Sequence, residues 1–198
     1  NVSNSELMNL NISNNQQRGI SIVDSMNNEI SNSFFFNSTG IRMYRSSNNT
    51  IENNSMMRTN TGVFIDSNSD NNTIVNNTIL SSSVSGILVG PGGVQTNFFN
   101  RVIDNYINNS GDAIDLQASN STVKNNILLN SPSEGMYLQY GYNNEIIGNE
   151  INGSGEYGIY IDVSGDSSLI LNNSFSMNSV GGILLLESNY TLDNNFFA

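Results

Sequence analysis

Residues 74–89 read Ile74-Val75-Asn76-Asn77-Thr78-Ile79-Leu80-Ser81-Ser82-Ser83-Val84-Ser85-Gly86-Ile87-Leu88-Val89, and this phrase decides the fold. Its first half, hydrophobic-x-x-Asn-x-hydrophobic, returns as Ile51 to Met56, Val102 to Ile107, Val123 to Leu128, Ile146 to Ile151, Ile170 to Phe175 and Leu192 to Phe197. Its second half, Gly-hydrophobic-x-hydrophobic, returns at Gly19, Gly40, Gly62, Gly135, Gly158 and Gly182. A phrase repeating every two dozen residues or so is the period of a solenoid coil. The apolar runs are short and alternate with period two, so each is a short strand with one buried face. No window supports an amphipathic helix.

A coil of this length holds about three strands separated by turns, and one coil cannot bury its apolar face alone. Neighbouring coils must stack, each strand pairing with its equivalent in the next coil, so the sheets are parallel. The expected architecture is all-β: a single-stranded right-handed parallel β-helix of about nine coils, continuous over 1–198 as one domain. At about 4.8 Å between strands it is a rod roughly 40 Å long.

Asn54, Asn77, Asn105, Asn126, Asn149, Asn173 and Asn195 share one phase of the coil, with Ser33 in the same place. The expectation is that these residues take the left-handed backbone of a tight turn. Stacked in register, their amides can hydrogen-bond along the rod as an Asn ladder. A second file holds Asn28, Asn49, Asn72, Asn100 and Asn144, with Ser121 and Ser168. Roughly a fifth of the chain is Asn, a composition that by itself reads as low complexity, and the fixed phase of these residues argues for turns instead.

Composition narrows the chemistry. Histidine, cysteine and tryptophan are absent, which removes the commonest general base, thiolate metal sites and disulfides together. The net charge is −11, with only Arg18, Arg42, Arg45, Arg58, Arg101 and Lys124 as side-chain cations and no basic patch. Nucleic acid and anionic membranes are therefore poor partners, and no apolar stretch reaches the ~20 residues of a membrane span. Sequons at Asn37, Asn48, Asn53, Asn71, Asn76, Asn108, Asn120, Asn152, Asn172 and Asn189, with little Lys, lean toward an extracellular or cell-surface setting. The sequence begins at Asn1 without Met and both ends fall inside the repeat, so a processed or excised segment is expected. Its open ends would be covered by flanking domains or by other rods, as end-to-end or side-to-side homo-oligomers.

The Asn-Asn-x-Ile phrase followed by Gly-Ile-x-Ile resembles the parallel β-helix repeats of the NosD-like periplasmic copper-binding proteins and of carbohydrate-binding and sugar-hydrolase modules. Similar repeats occur in large surface and adhesin-like proteins of methanogenic archaea. The resemblance implies right-handed coiling, an extracytoplasmic setting and polysaccharide contact. Copper delivery does not carry over to a chain without His or Cys, whose Met residues read mostly as core filling.

The residue between the two hydrophobic positions of Gly-hydrophobic-x-hydrophobic points outward: Ser21, Arg42, Phe64, Leu88, Asp115, Tyr137, Tyr160 and Leu184 form one file. Two residues on lie Tyr44, Asp66, Gly90, Gln117, Gln139, Asp162 and Leu186. Aromatic faces beside carboxylates and amides are a way to hold sugar rings, and Phe64, Asp115, Tyr137 and Tyr160 are the candidate ligand-binding residues. Leu88 and Leu184 suit contact with a neighbouring protein subunit. Asp112 and Asp115 are the candidate catalytic pair, since glycoside hydrolysis uses two carboxylates about 5 to 9.5 Å apart. A lyase would want cationic help that nothing nearer in sequence than Arg101 and Lys124 offers. Asp66, Asn68 and Asp70, and separately Asp162 and Asp166, place oxygen side chains at the spacing a calcium loop uses, although turn chemistry favours the same residues. The function these residues suggest is a structural and binding module with no required cofactor, self-assembling or glycan-contacting. The alternative is a polysaccharide-degrading hydrolase or lyase.

Overall fold

The structure is a computed structural model and describes residues 3–15, 17–90, 97–162, 167–186 and 189–198. Its strands form three parallel sheets. The first runs from Glu6–Met8 to Thr191–Asp193 and the second from Asn11–Ser13 to Phe196–Phe197, nine strands each; the third runs from Ile20–Val23 to Gly181–Leu185 with eight. Every strand pairs only with its equivalents one coil away, giving eight complete three-strand coils and two strands of a ninth. Coil length, read between equivalent Asn residues, is 21 residues from Asn28 to Asn49 and 28 from Asn72 to Asn100. The long coil contains the Gly90-Pro91-Gly92-Gly93 stretch expected to bulge from the rod, of which only Gly90 lies within the described residues.

The apolar files stack as the repeat predicts. Ile30, Ile51, Ile74, Val102, Val123, Ile146 and Ile170 line the inside of the first sheet, and Phe35, Met56, Ile79, Ile107, Leu128, Ile151 and Phe175 the second, all essentially inaccessible to water. Met43, Met56 and Met136 are core residues, whereas Met8, Met26 and Met177 are exposed. The recurring Gly starts the third sheet because a larger residue would collide with the second. A Cβ on Gly86 would fall 2.5 Å from Ile107 Cγ2, and one on Gly135 would fall 2.3 Å from Ile151 Cγ2.

The corners follow a finer rule than the sequence reading supposes. The left-handed residue is not the ladder Asn but the one before it: Asn53 (φ 54°), Asn76 (φ 54°), Asp104 (φ 54°), Asn125 (φ 55°) and Asn172 (φ 55°) precede Asn54, Asn77, Asn105, Asn126 and Asn173. The two residues of each Asn-Asn pair divide the work. The first, exposed, reverses the chain at low steric cost. The second turns inward, where its Oδ1 accepts from the backbone N–H and the side-chain amide of the preceding coil. For Asn126 these contacts are 2.9 Å from Asn105 N and 3.0 Å from Asn105 Nδ2, and its own Nδ2 donates to Val102 O at 2.9 Å.

Serine performs the same task with one oxygen. Asn100 N donates to Ser121 Oγ at 3.1 Å in the second Asn file. Two further corner files are built largely from hydroxyls: Ser25, Ser46, Ser69 and Asn97 on one side of the third sheet, and Thr59, Ser82 and Ser110 on the other.

The two corner positions are separable by mutation. Asn126→Ala strips partners from two or more buried groups at about 1–3 kcal/mol each and should cost about 2–4 kcal/mol in chemical denaturation. Asn125→Gly, which keeps the left-handed turn, should cost less than about 1 kcal/mol. Asn125→Val should cost about 1–2 kcal/mol from backbone strain. A larger loss at Asn125→Gly than at Asn126→Ala would reverse the assignment of roles.

Candidate functional site

Because strands pair in strict register, residues of one coil phase lie side by side on the rod. The outward file of the third sheet runs Ser21, Arg42, Phe64, Leu88, Asp115, Tyr137, Tyr160, Leu184, each directly paired with the next. The flanking file is also in register, with backbone amides of Gly90, Gln117, Gln139, Asp162 and Leu186 donating to the preceding coil at 2.7–3.1 Å. The face divides into two chemical halves separated by the strand bearing Leu88.

The first half is a cation–aromatic cluster. The Arg42 guanidinium lies 5.4 Å from the ring centroids of both Tyr44 and Phe64 and forms an ion pair with Asp66. Burial raises the Asp66 carboxyl, but the Arg42 hydrogen bond and those from Ser67 outweigh it and hold Asp66 below its ordinary value. Asp66 Oδ1 accepts from Ser67 N and Oγ, and Asp70 Oδ1 accepts from Phe98 N at 2.8 Å. Asn68 is a left-handed corner residue. Both oxygens of Asp66 and one of Asp70 are thus engaged by protein donors. Asp162 lies four coils further along, where Tyr137 OH and Gln139 Nε2 donate to its Oδ2, and Asp166 is outside the described residues. Among the described residues, no three Asp or Glu side chains converge as a metal-holding group.

The second half is acidic and tyrosine-rich. Tyr137 and Tyr160 are neighbours at 5.5 Å between ring centroids, and Tyr157 sits 6.0 Å from Tyr160. Asp112, Ser133, Glu134, Tyr137, Glu156 and Tyr160 line an open groove of about 360 Å³. Of the four residues expected to bind together, Asp115, Tyr137 and Tyr160 occupy successive strands. Phe64 belongs to the Arg42 half, two strands away from Asp115.

Asp112 and Asp115 lie on one strand, Asp112–Leu116, and both are half-buried. The sequence reading pairs them, yet Asp112 interacts more strongly with Glu134, the residue in the same phase one coil on. Glu134 N donates to Asp112 Oδ1 at 3.3 Å, and the two side chains share a hydrogen bond. Burial, then the hydrogen bond and charge of Asp112, push Glu134 up to about 7. Burial likewise raises Asp112. Asp115 is pushed up to about 6 by burial, against the lowering hydrogen bonds from Gln117 Nε2 at 3.1 Å to each of its oxygens. Tyr137 is also raised, by burial first and then by the Asp162 carboxylate. Glu134 is the site residue the sequence reading misses. Its signal is the position before each recurring Gly, which reads Thr61, Ser85, Asp112 (before Ala113), Glu134, Tyr157.

Comparison with known proteins places this geometry in context. A family model described as "Right handed beta helix region" matches residues 1–107 and 72–197. No curated protein matches the chain by sequence. Among solved structures, ORF18 of Geobacillus virus E2 is similar at TM-score 0.79 and 12% identity, over 97% of this chain and 41% of that one. A mutant of the periplasmic alginate epimerase AlgG gives 0.74 and 18%, over 98% and 49%. The GH87 α-1,3-glucanase catalytic unit of Streptomyces thermodiastaticus gives 0.65 and 15%, over 93% and 49%. The chain thus spans less than half the length of these structures. At such identities the likeness shows the fold alone.

The raised carboxyls make stability depend on pH in a definite direction. Between the ordinary carboxylate range and about pH 7, the folded state holds protons on Glu134 and Asp115 that the unfolded chain has already released. That stabilisation is complete below about pH 4, and it is lost as pH rises through about 6 for Asp115 and about 7 for Glu134. These groups should therefore lower the melting temperature between about pH 4 and 7. Glu134→Gln should flatten the profile, and Asp112→Asn should move the Glu134 midpoint, followed by carboxyl carbon NMR, downward. An unchanged midpoint would mean that Asp112 does not act on Glu134.

Proposed function

Because the chain belongs to the right handed beta helix region family, we propose that it is a rigid glycan-binding module of an extracellular or cell-surface protein. Its third sheet holds a polysaccharide along the rod. The observation that carries this reading is the tyrosine platform in the acidic groove: Tyr137 and Tyr160, 5.5 Å apart on adjacent strands, with carboxylates and amides beside them. Ring faces stack on the apolar faces of sugars, and polar side chains at the edge take up the hydroxyls. The solved structures it resembles include an alginate epimerase and an α-1,3-glucanase, which supports a polysaccharide as the ligand class. It also supports an extracytoplasmic setting, as the epimerase is described as periplasmic. No helix of the described residues is long and apolar enough to cross a membrane.

A second reading, polysaccharide hydrolysis, draws on Glu134. A carboxyl titrating near 7 beside the ionisable Asp112 and Asp115 has the protonation expected of a general acid. Against it, Asp112 and Glu134 stand side by side at the same phase of neighbouring coils and share a hydrogen bond, which suits one shared proton better than an acid and a base flanking a bond.

The readings separate cleanly. Tyr137→Ala and Tyr160→Ala should each weaken retention on an immobilised polysaccharide array by roughly tenfold, equivalent to about 1.4 kcal/mol, while circular dichroism stays unchanged. No reducing ends should accumulate with the unaltered protein. Release of reducing ends that Glu134→Gln abolishes would establish the hydrolase instead.

A further inference from the structure

The corner between the second and third sheets carries a groove that the tyrosine platform does not use. It has a volume of about 370 Å³, and Asn14, Asn37, Thr39, Arg58, Asn60 and Ser83 are among the residues lining it. That volume is of small-ligand size. No Asp or Glu is among the described residues of its lining. The chain holds 17 Asp and Glu against six Lys and Arg, so a groove with a guanidinium and no carboxylate is not what composition alone would give.

Arg58 holds a sterically costly position there. It takes the left-handed backbone (φ 52°) in a corner file where Asn14, Asn37, Asn109 and Asn130 also take it. Asn visits that conformation readily, whereas a long side chain bears more of its steric cost. Arg45 (φ 48°), at the corner after the third sheet, shows what a guanidinium in such a position can hold: its Nε and Nη2 each donate to one oxygen of Asp24, one coil back, at 2.6 Å. One coil back from Arg58 stands Asn37 in place of a carboxylate. The Arg58 guanidinium lies 5.8 Å over the Phe36 ring and has no ion pair among the described residues. The aromatic face steadies the cation while its fork of N–H donors stays open to an oxyanion. Around it, Asn37 Nδ2 donates to Asn14 Oδ1 at 3.0 Å and Asn60 Nδ2 to Ser83 Oγ at 3.4 Å, and each of these amides has a second N–H to offer a ligand.

We infer that this groove is an oxyanion subsite, in which the Arg58 fork takes the carboxylate or sulfate of an acidic sugar as Arg45 takes Asp24. The Asn and Ser side chains along the groove take the sugar's hydroxyls. Both oxyanions are charged at neutral pH and present two oxygens to a guanidinium, the pairing for which Arg is suited and Lys is not. None of the groove's lining residues belongs to the tyrosine platform, so the inference goes beyond the glycan-binding reading and stands or falls separately from it.

The test is calorimetric titration of the full chain at pH 7 and low salt with three trimers: galacturonate, sulfated galactose and galactose. Both acidic trimers should bind more tightly than the neutral one, by about tenfold or more, and the tighter of the two names the source of the oxyanion. Arg58→Asn restores the residue that Asn14 and Asn37 supply in the preceding coils, so it should keep the parent's melting profile and bring the acidic trimers down to the neutral one. Arg58→Lys, which keeps the charge and loses the fork, should lose most of the preference. Arg101→Asn, the same charge change at an exposed position of the first sheet, should leave the preference intact, and so should Tyr137→Ala. A parent protein that binds the acidic trimers no better than the neutral one, or binds none of the three, would overturn the inference. Equal losses in Arg58→Asn and Arg101→Asn would reduce the preference to overall charge and overturn it too. Loss of the acidic trimers in Tyr137→Ala would move the ligand to the tyrosine platform, overturning the subsite and leaving the glycan-binding reading in place.

Discussion

Everything in this rod depends on satisfying the backbone amides at its corners. Strands of a parallel sheet hydrogen-bond to the coils above and below, but at each corner the chain turns inward and its N–H would be buried without a partner. The protein solves this with a carbonyl or hydroxyl oxygen delivered from the next coil, as when Asn105 N meets Asn126 Oδ1 at 2.9 Å and Ser121 N meets Asn144 Oδ1 at 2.9 Å. Each bond requires that the equivalent residue of the next coil be at the same phase, so the corners lock the register. With the register locked, the apolar files fall inside and the outward files fall in straight rows. The 28-residue coil between Asn72 and Asn100 keeps both partners in place, so extra residues are accommodated without breaking the ladder.

That logic explains what could be read from the sequence and what could not. Register was legible because the Asn-Asn phrase and the recurring Gly mark every coil, and the outward row from Ser21 to Leu184 follows by counting. The division of labour within Asn-Asn was not legible, since both residues tolerate a left-handed turn and only backbone geometry shows that Asn125, not Asn126, adopts it. The hydroxyl corners were hidden because Ser is common throughout the chain and one oxygen suffices for the bond. Glu134 escaped because the residue before the recurring Gly varies from coil to coil, from Thr61 to Tyr157, and looks unconstrained. Its importance arises only from lying beside Asp112 in the folded sheet.

The third sheet shows how a repeat fold carries a site without loops or a closed pocket. Successive strands set their side chains about 4.8 Å apart, close enough for the Tyr137 and Tyr160 rings to touch and for Asp112 and Glu134 to share a proton. Burial on the sheet face, and for Glu134 the hydrogen bond and charge of Asp112 as well, is why these carboxyls titrate well above their ordinary range. An acidic row of this kind weakens the rod near neutral pH. Other coils place uncharged residues in the file of Asp112, where Thr61 and Ser85 are both buried.

The likeness to an alginate epimerase and a glucanase bears on this face in a particular way. A shared solenoid explains a long flat surface, which any extended polymer can follow, but it does not set the chemistry displayed there. The displayed chemistry is this chain's own: the cations of the face lie in the Arg42 half, where Asp66 and Asp24 engage Arg42 and Arg45, while the groove is lined by carboxyls and tyrosines. Fold and site therefore constrain function independently. The coil supplies length and register, and the side chains on a few outward positions set the chemistry of the face. Two rods with the same corners and opposite charges on Asp112, Asp115 and Glu134 would share a fold and bind different ligands.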